Sequence, residues 1–144
     1  MYYQFLLLVH VVCFALWMGA VAASLLVVRT FESRLTTIVG DVTSDAALLR
    51  AYIRREVKFV DVVFAGVLVS GIVLAQLYTG WTSWVLTKIG LFVAQFVATM
   101  AYIQVFIRPL TYPCPPHLYR RWYGLFAVSL GFFAITLMVV FFGR

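Results

Sequence analysis

A single histidine stands within an apolar run that is long enough to cross a membrane. Residues 5–28 read FLLLVHVVCFALWMGAVAASLLVV, in which His10 and Ser24 are the polar members. An apolar stretch of more than ~18 residues without a formal charge is typical of a transmembrane helix. Ionisable groups are costly to place in lipid, so they are rare in such helices and usually face the protein interior. The sequence therefore predicts a buried, functional position for His10.

The composition extends this prediction to the whole chain. Of the 144 residues, 65% are hydrophobic and 11% are charged, and the mean hydropathy is +1.03. A soluble domain carries roughly twice that charged fraction. We expect an all-α polytopic membrane protein, with residues 1–144 forming one four-helix transmembrane domain in the lipid bilayer. The net charge of +6 is concentrated in two segments, which indicates orientation in a membrane and no nucleic-acid partner.

Four apolar segments predict four spans, at residues 3–28, 57–78, 81–107 and 118–142. The first is expected to be a retained helix, because no Lys or Arg precedes it and it is too long for a signal peptide. The short link at residues 78–81 predicts a tight hairpin between the second and third spans. Residues 45–56 predict a helix that is capped by Thr43 or Ser44 and continues into the second span.

Basic residues are distributed unevenly among the loops. Six lie between the first span and residue 58, none lie in the second loop, and three lie in the third. Lys and Arg accumulate in cytoplasmic loops of membrane proteins. Both termini are therefore expected on the outer side of a cell membrane (inner or plasma membrane).

Small residues at four-residue spacing recur in every span and predict helix–helix contacts, since they allow close approach in lipid. They are Ala15, Gly19 and Ala23 in the first span, Gly66 and Ser70 in the second, Gly90, Ala94 and Ala98 in the third, and Ala127 and Gly131 in the fourth.

Lys88 is a second ionisable residue within an apolar span, and its predicted depth equals that of His10. Each lies about seven residues from the outer end of its span, or ~10 Å below that surface. Helical spacing adds Trp17 to the face of His10, and Gln95 and Tyr102 to the face of Lys88. We predict one shared site, with His10 and Lys88 as catalytic residues, His10 as metal ligand, and all five residues binding the cofactor.

Both ionisable residues also have a purely structural interpretation. His10 could be a neutral imidazole bonded to a neighbouring helix, and Lys88 could extend its ammonium to the membrane interface. As a functional group, His10 would ligate haem iron or copper. Lys88 would then pair with a ligand carboxylate such as a haem propionate, since no Asp or Glu lies at its depth in the sequence. His117 is predicted in a cytoplasmic loop, so it cannot share an iron with His10.

His10 followed by the Trp-Met-Gly element at residues 17–19 resembles the first span of the HemJ-type protoporphyrinogen oxidases. It is also similar to the wider group of CopD-like four-helix membrane proteins. In the HemJ type, a His in the first span and a Lys in the third form the functional pair, and haem b is bound. His10 and Lys88 match those positions in helix number, depth and side. Residues 121–126 stand where the HemJ type has Asn-Glu-x-Pro, so the resemblance implies the fold and haem b more directly than the oxidase activity.

Three functions follow as hypotheses. The first is a haem b- or porphyrin-binding redox protein, which in the HemJ-like case oxidises protoporphyrinogen IX and passes electrons to a quinone. The second is a CopD-like copper-handling protein that uses His10 with Cys13 and Met18. The third is a non-catalytic subunit of a membrane complex. Under all three hypotheses the chain is expected to form homo-oligomers or to join other subunits. Cys114-Pro115 resembles a short haem-binding motif, although a rigid turn is the simpler interpretation.

Overall fold

The computed structural model describes residues 1–36, 43–108 and 115–142. These residues form four long helices: α1 (Tyr2–Thr36), α2 (Thr43–Leu74), α3 (Ser83–Phe106) and α4 (Pro116–Phe142). A π-helical turn, Ala75–Thr79, extends α2. Each helix is long and apolar enough to cross a membrane. The all-α prediction is confirmed, and the chain is a multi-pass membrane protein whose helices contact the lipid bilayer.

Two helices extend beyond their apolar segments. α1 continues to Thr36, past the predicted end of the first span at residue 28, and hydroxyls in this polar extension bond back to the helix. Thr30 Oγ1 donates to the Leu26 carbonyl at 2.8 Å, and Ser33 Oγ to the Thr30 carbonyl at 3.1 Å. α2 passes through the polar residues 45–56 into the second span as predicted. It begins at Thr43, so the two residues that were predicted as caps, Thr43 and Ser44, lie within the helix.

The predicted hairpin joins α2 to α3. Gly80 has φ +68°, a conformation that is strained for residues with a Cβ, and it reverses the chain direction after the π-helical turn. Thr82 then caps α3, because its Oγ1 accepts a hydrogen bond from the Val85 amide at 3.4 Å.

Neighbouring helices of the bundle are antiparallel. α1 packs most extensively on α2, α3 packs on α4, and α4 also packs on α1. Side chains bridge α2 and α3: Phe64 stacks on Phe92 and Phe96 with ring centroids 4.7 and 5.1 Å apart. α3 is the least embedded helix, since Gln95 is the one residue in it that is fully buried.

We call the two ends of the bundle the hairpin end and the basic end. The hairpin end holds the start of α1, the turn at Gly80 and the end of α4. The basic end holds most of the positive charge: Arg29, Arg34, Arg50, Arg54, Arg55, Lys58, Arg108, Arg120 and Arg121. There the Tyr123 hydroxyl donates a hydrogen bond to the Glu32 carboxylate, which joins α4 to α1.

Side chains of α4 also fix the end of α3. Trp122 Nε1 donates to the Arg108 carbonyl at 3.2 Å, and Arg121 Nη1 donates to the Phe106 carbonyl at 3.4 Å. Carbonyls at the end of a helix lack partners within that helix, so the bond from Arg121 satisfies the Phe106 carbonyl, while the bond from Trp122 holds the chain just past the end of α3.

The predicted small-residue contacts are confirmed only in part. A Cβ built on Gly66 would lie 2.8 Å from Cys13 Sγ, so α2 does need a glycine against α1, and Ser70 is buried. By contrast, a Cβ added at Gly19, Gly90 or Gly131 would meet no described atom within 4 Å. The predicted helix–helix contacts at these three glycines are therefore wrong within a single copy of the chain.

Candidate functional site

One aromatic side chain from each helix meets at a common level in the bundle. The ring of Trp17 contacts Phe64, Phe92 and Phe133, with centroids 5.3, 5.4 and 4.7 Å away in edge-to-face geometry. Such arrangements are favourable for aromatic pairs. Trp17 is 7% exposed and Phe133 1%. We call these four residues the aromatic layer; it separates the hairpin half of the bundle from the basic half.

His10 lies on the hairpin side of this layer and is bonded to α2. It is seven residues from Trp17, or ~10 Å along the helix axis. His10 Nδ1 lies 3.1 Å from the Val67 carbonyl oxygen and 3.0 Å from Ser70 Oγ. The ring packs against Gly71, where a Cβ would lie 3.1 Å from His10 Cε1. Three residues of one helical turn therefore fix the position of the imidazole.

The partners of His10 assign its tautomer. The Val67 carbonyl can only accept a hydrogen bond, so Nδ1 carries a proton. Ser70 Oγ donates its own hydrogen to the Gly66 carbonyl at 2.5 Å, and it can therefore accept from Nδ1. A neutral imidazole with its proton on Nδ1 has its lone pair on Nε2. Both hydrogen bonds that His10 makes with described residues are on Nδ1, which leaves Nε2 available as a ligand atom.

Lys88 lies at a similar level on α3. It is four residues from Phe92 toward the hairpin end, or ~6 Å above the aromatic layer. Lys88 and His10 therefore lie on the same side of the aromatic layer. Lys88 Nζ stands over the ring of Trp84, 4.8 Å from the centroid, in a cation–π contact.

The other predicted site residues lie elsewhere in the bundle. Trp17 belongs to the aromatic layer beneath His10. Gln95 is 2% exposed and lies ~4 Å on the basic side of the layer, counted from Phe92. Tyr102 lies ~21 Å along α3 from Lys88, packs on Phe106 and approaches Gly124 of α4. His10 and Lys88 thus lie on the hairpin side of the aromatic layer that contains Trp17, while Gln95 and, farther along α3, Tyr102 lie on its basic side.

The residues considered for copper do not form a cluster. The described part of the chain contains no group of three or more His, Cys, Asp and Glu side chains that could hold a metal ion. Cys13 Sγ is packed at Gly66, and His117 is exposed at the start of α4 at the basic end. Cys114 lies outside the described residues.

Two partners of the site could have been found from the sequence. Trp84 and Lys88 are four residues apart, which places a ring and an ammonium on one helix face. Ser70-Gly71 is a small, polar interruption of an apolar span, which favours a close contact with another helix. The sequence does not show that this contact is made with His10, because the contact depends on how α1 and α2 are rotated about their axes.

Comparison of the chain with known protein families, with curated proteins and with solved structures finds no match. The site must therefore be interpreted from its own chemistry. It combines a histidine with a fixed tautomer, a positive charge on the same side of the aromatic layer, and an apolar aromatic base.

Proposed function

We propose that this protein is a membrane redox protein that binds haem b, with His10 Nε2 as the axial ligand of the iron. The observation that carries the proposal is the bond from His10 Nδ1 to the Val67 carbonyl. Histidines that ligate metals usually donate their other ring N–H to a carbonyl or carboxylate, which orients the ring and raises the basicity of the ligating nitrogen. The proposal also requires a free ligating nitrogen, and both hydrogen bonds that His10 makes with described residues are on Nδ1.

The remaining residues of the site fit a tetrapyrrole. Lys88 offers a positive charge for a carboxylate of the ligand, on the same side of the aromatic layer as His10. The aromatic layer offers an apolar surface beneath His10. The shallow embedding of α3 favours a site between α3 and the α1–α2 pair. Haem b, when bound, supplies one-electron redox chemistry.

The reaction we propose within this function is the one that the HemJ resemblance implies, oxidation of protoporphyrinogen IX with electrons passed to a quinone. The matched pair of His10 and Lys88 supports it. The chain's own contribution would be to hold the haem through these two residues. The electrons and protons removed from protoporphyrinogen IX would both be taken up by the quinone, which becomes a quinol. Residues 121–126, which replace the HemJ Asn-Glu-x-Pro motif, lie at the basic end of α4, away from this pair.

We further propose that both termini face outward from a cell membrane, since the basic end carries nine Lys and Arg residues. In that orientation the site lies in the outer leaflet. Association with further copies or with other subunits stays a prediction.

An absorption spectrum tests the haem proposal. Purified protein is titrated with haemin and then reduced, and we expect a Soret band with resolved α and β bands. His10→Ala should lose the reduced spectrum, because no other described residue at that level offers an imidazole. His117→Ala removes the other histidine and is the matched control, which should keep the spectrum. A wild-type spectrum in His10→Ala would refute the proposal, and the absence of any Soret band would favour the copper or subunit alternatives.

A further inference from the structure

Trp84 lies in the first turn of α3, and its ring is in contact with the ammonium of Lys88. The four-residue spacing places the two side chains on one face of the helix, with Nζ 4.8 Å from the ring centroid. A cation over an indole face is attracted by the π electrons, more strongly where water is excluded. This contact holds the ammonium beside the indole.

The indole N–H of Trp84 differs from those of two other tryptophans in the chain. Trp81 Nε1 donates to Gln76 Oε1 at 3.0 Å, and Trp122 Nε1 donates to the Arg108 carbonyl. Trp84 Nε1 is buried and has no hydrogen-bond partner within the described residues. Buried indole N–H groups normally find an acceptor, because an unsatisfied buried donor costs about 1–3 kcal/mol. This donor therefore points to an acceptor that the described residues do not supply.

We propose that Trp84 Nε1–H and the Lys88 ammonium together bind one carboxylate of the ligand held by His10. This rests on the proposed haem function and extends it: the ligand would be recognised as a free carboxylic acid, and a neutral ester of the same pigment would bind more weakly. The indole N–H lies in the ring plane and the ammonium stands over the ring face, so the two donors approach an acceptor from different directions. A carboxylate has two oxygens and about four acceptor positions, and it can take both bonds at once.

The position of the two donors suits this role. Trp84 lies one helical turn nearer to the hairpin end than Lys88, and both lie above the aromatic layer. A carboxylate bound there would be on the side of the site nearer to the membrane surface. A carboxylate between an indole N–H and an ammonium forms charge-assisted hydrogen bonds, which are about twice as strong as neutral ones.

The test compares two pigments that differ only in their carboxylates. Haemin and haemin dimethyl ester are titrated into wild-type protein, Trp84→Phe and Trp81→Phe in a neutral detergent, and Kd is measured from the Soret band. Trp84→Phe keeps an aromatic ring under Lys88 and removes the N–H. We expect it to weaken haemin roughly tenfold, as for loss of one hydrogen bond to a charged group, and to leave the ester unchanged. Trp81→Phe removes a neighbouring indole N–H and should change neither Kd.

Each other outcome counts against a specific statement. Equal weakening of haemin and ester in Trp84→Phe would make Trp84 a packing residue and overturn the inference. Haemin binding with no effect of Trp84→Phe would overturn it while the haem function stands. Failure of the wild type to bind either pigment would overturn both. Should Trp84→Phe not fold, a benzothienylalanine at position 84 replaces the N–H by sulfur at nearly constant shape, with the same expected result.

Discussion

The imidazole of His10 lies directly against the backbone of Gly71. A Cβ at that position would be 3.1 Å from His10 Cε1, closer than most side chains tolerate, and 3.5 Å from Nδ1, which is an ordinary contact. Because the same helical turn supplies the acceptors Val67 and Ser70, the ring cannot move away from Gly71 without lengthening its hydrogen bonds. The glycine thus permits the geometry that fixes the tautomer.

Gly71→Ala should therefore weaken haem binding. The added methyl forces the imidazole to shift by a few tenths of an ångström or to give up part of its bonding to α2. We expect haemin affinity to fall by about three- to tenfold, equivalent to about 0.6–1.4 kcal/mol. The measurement is a Soret titration. Gly90→Ala is the control, because nothing lies within 4 Å of that position, and it should bind as the wild type does. Identical affinities for Gly71→Ala and wild type would contradict the placement of the ring.

Ser70→Ala tests the bonds that orient His10. The variant leaves the Val67 carbonyl as the sole acceptor for Nδ1–H, so the ring is held less firmly. Partners of metal-bound histidines typically contribute 10–100-fold to affinity, and with one of two acceptors kept we expect about tenfold. The reduction potential of the bound haem should also shift. Ser129→Ala removes a similarly buried serine of α4 and should change neither quantity.

The number and type of the helices could be predicted from the sequence because they depend on run length and apolarity. Each span required only ~20 apolar residues and a breaker, and Gly80 supplied one such breaker by its positive φ. The placement of His10 and Lys88 in the same half of the bundle also followed, since depth depends only on distance from a span end, although they lie ~10 and ~6 Å from the aromatic layer.

The rotation of each helix about its axis could not be predicted. The stripe of Gly66 and Ser70 and the stripe around Gly19 look alike in sequence, yet only the first faces a neighbouring helix. Seven-residue spacing correctly places Tyr102 on the face of Lys88, but a shared face does not imply a shared site. Along α3 the two residues are ~21 Å apart, beyond the size of one pocket.

The contact of Tyr102 with Gly124 predicts a role in stability. A Cβ on Gly124 would lie 3.0 Å from Tyr102 Cζ and still closer to its hydroxyl. Gly124→Ala should destabilise the α3–α4 pair by about 1–3 kcal/mol, as overpacking does. Adding Tyr102→Phe removes the hydroxyl and should recover much of the loss, which unfolding of the single and double variants in detergent will measure. Tyr102→Phe alone should leave the haem spectrum unchanged; a loss of haem there would return Tyr102 to the site.

The orientation of the bundle is tested by cysteine labelling. Thr79 is exposed at the hairpin end and Thr36 is exposed at the basic end. In a background with Cys13 and Cys114 replaced by Ser, an impermeant maleimide added from outside should label Thr79→Cys and should not label Thr36→Cys. The reverse pattern would place the site in the cytoplasmic leaflet and both termini inside.

The last prediction separates a ligand-binding lysine from one that only reaches the interface. If the Lys88 ammonium pairs with a ligand carboxylate, Lys88→Met should weaken haemin far more than Lys88→Arg does. Met keeps the apolar stem and removes the charge, so a difference between the variants cannot come from packing alone. Arg keeps the charge, can stack on Trp84 and can reach a carboxylate, although its planar fork fits a site built for an ammonium less well. A lysine that merely extends to the membrane surface predicts equal haemin affinities in both variants, and that result would remove Lys88 from the site while leaving His10 as the iron ligand.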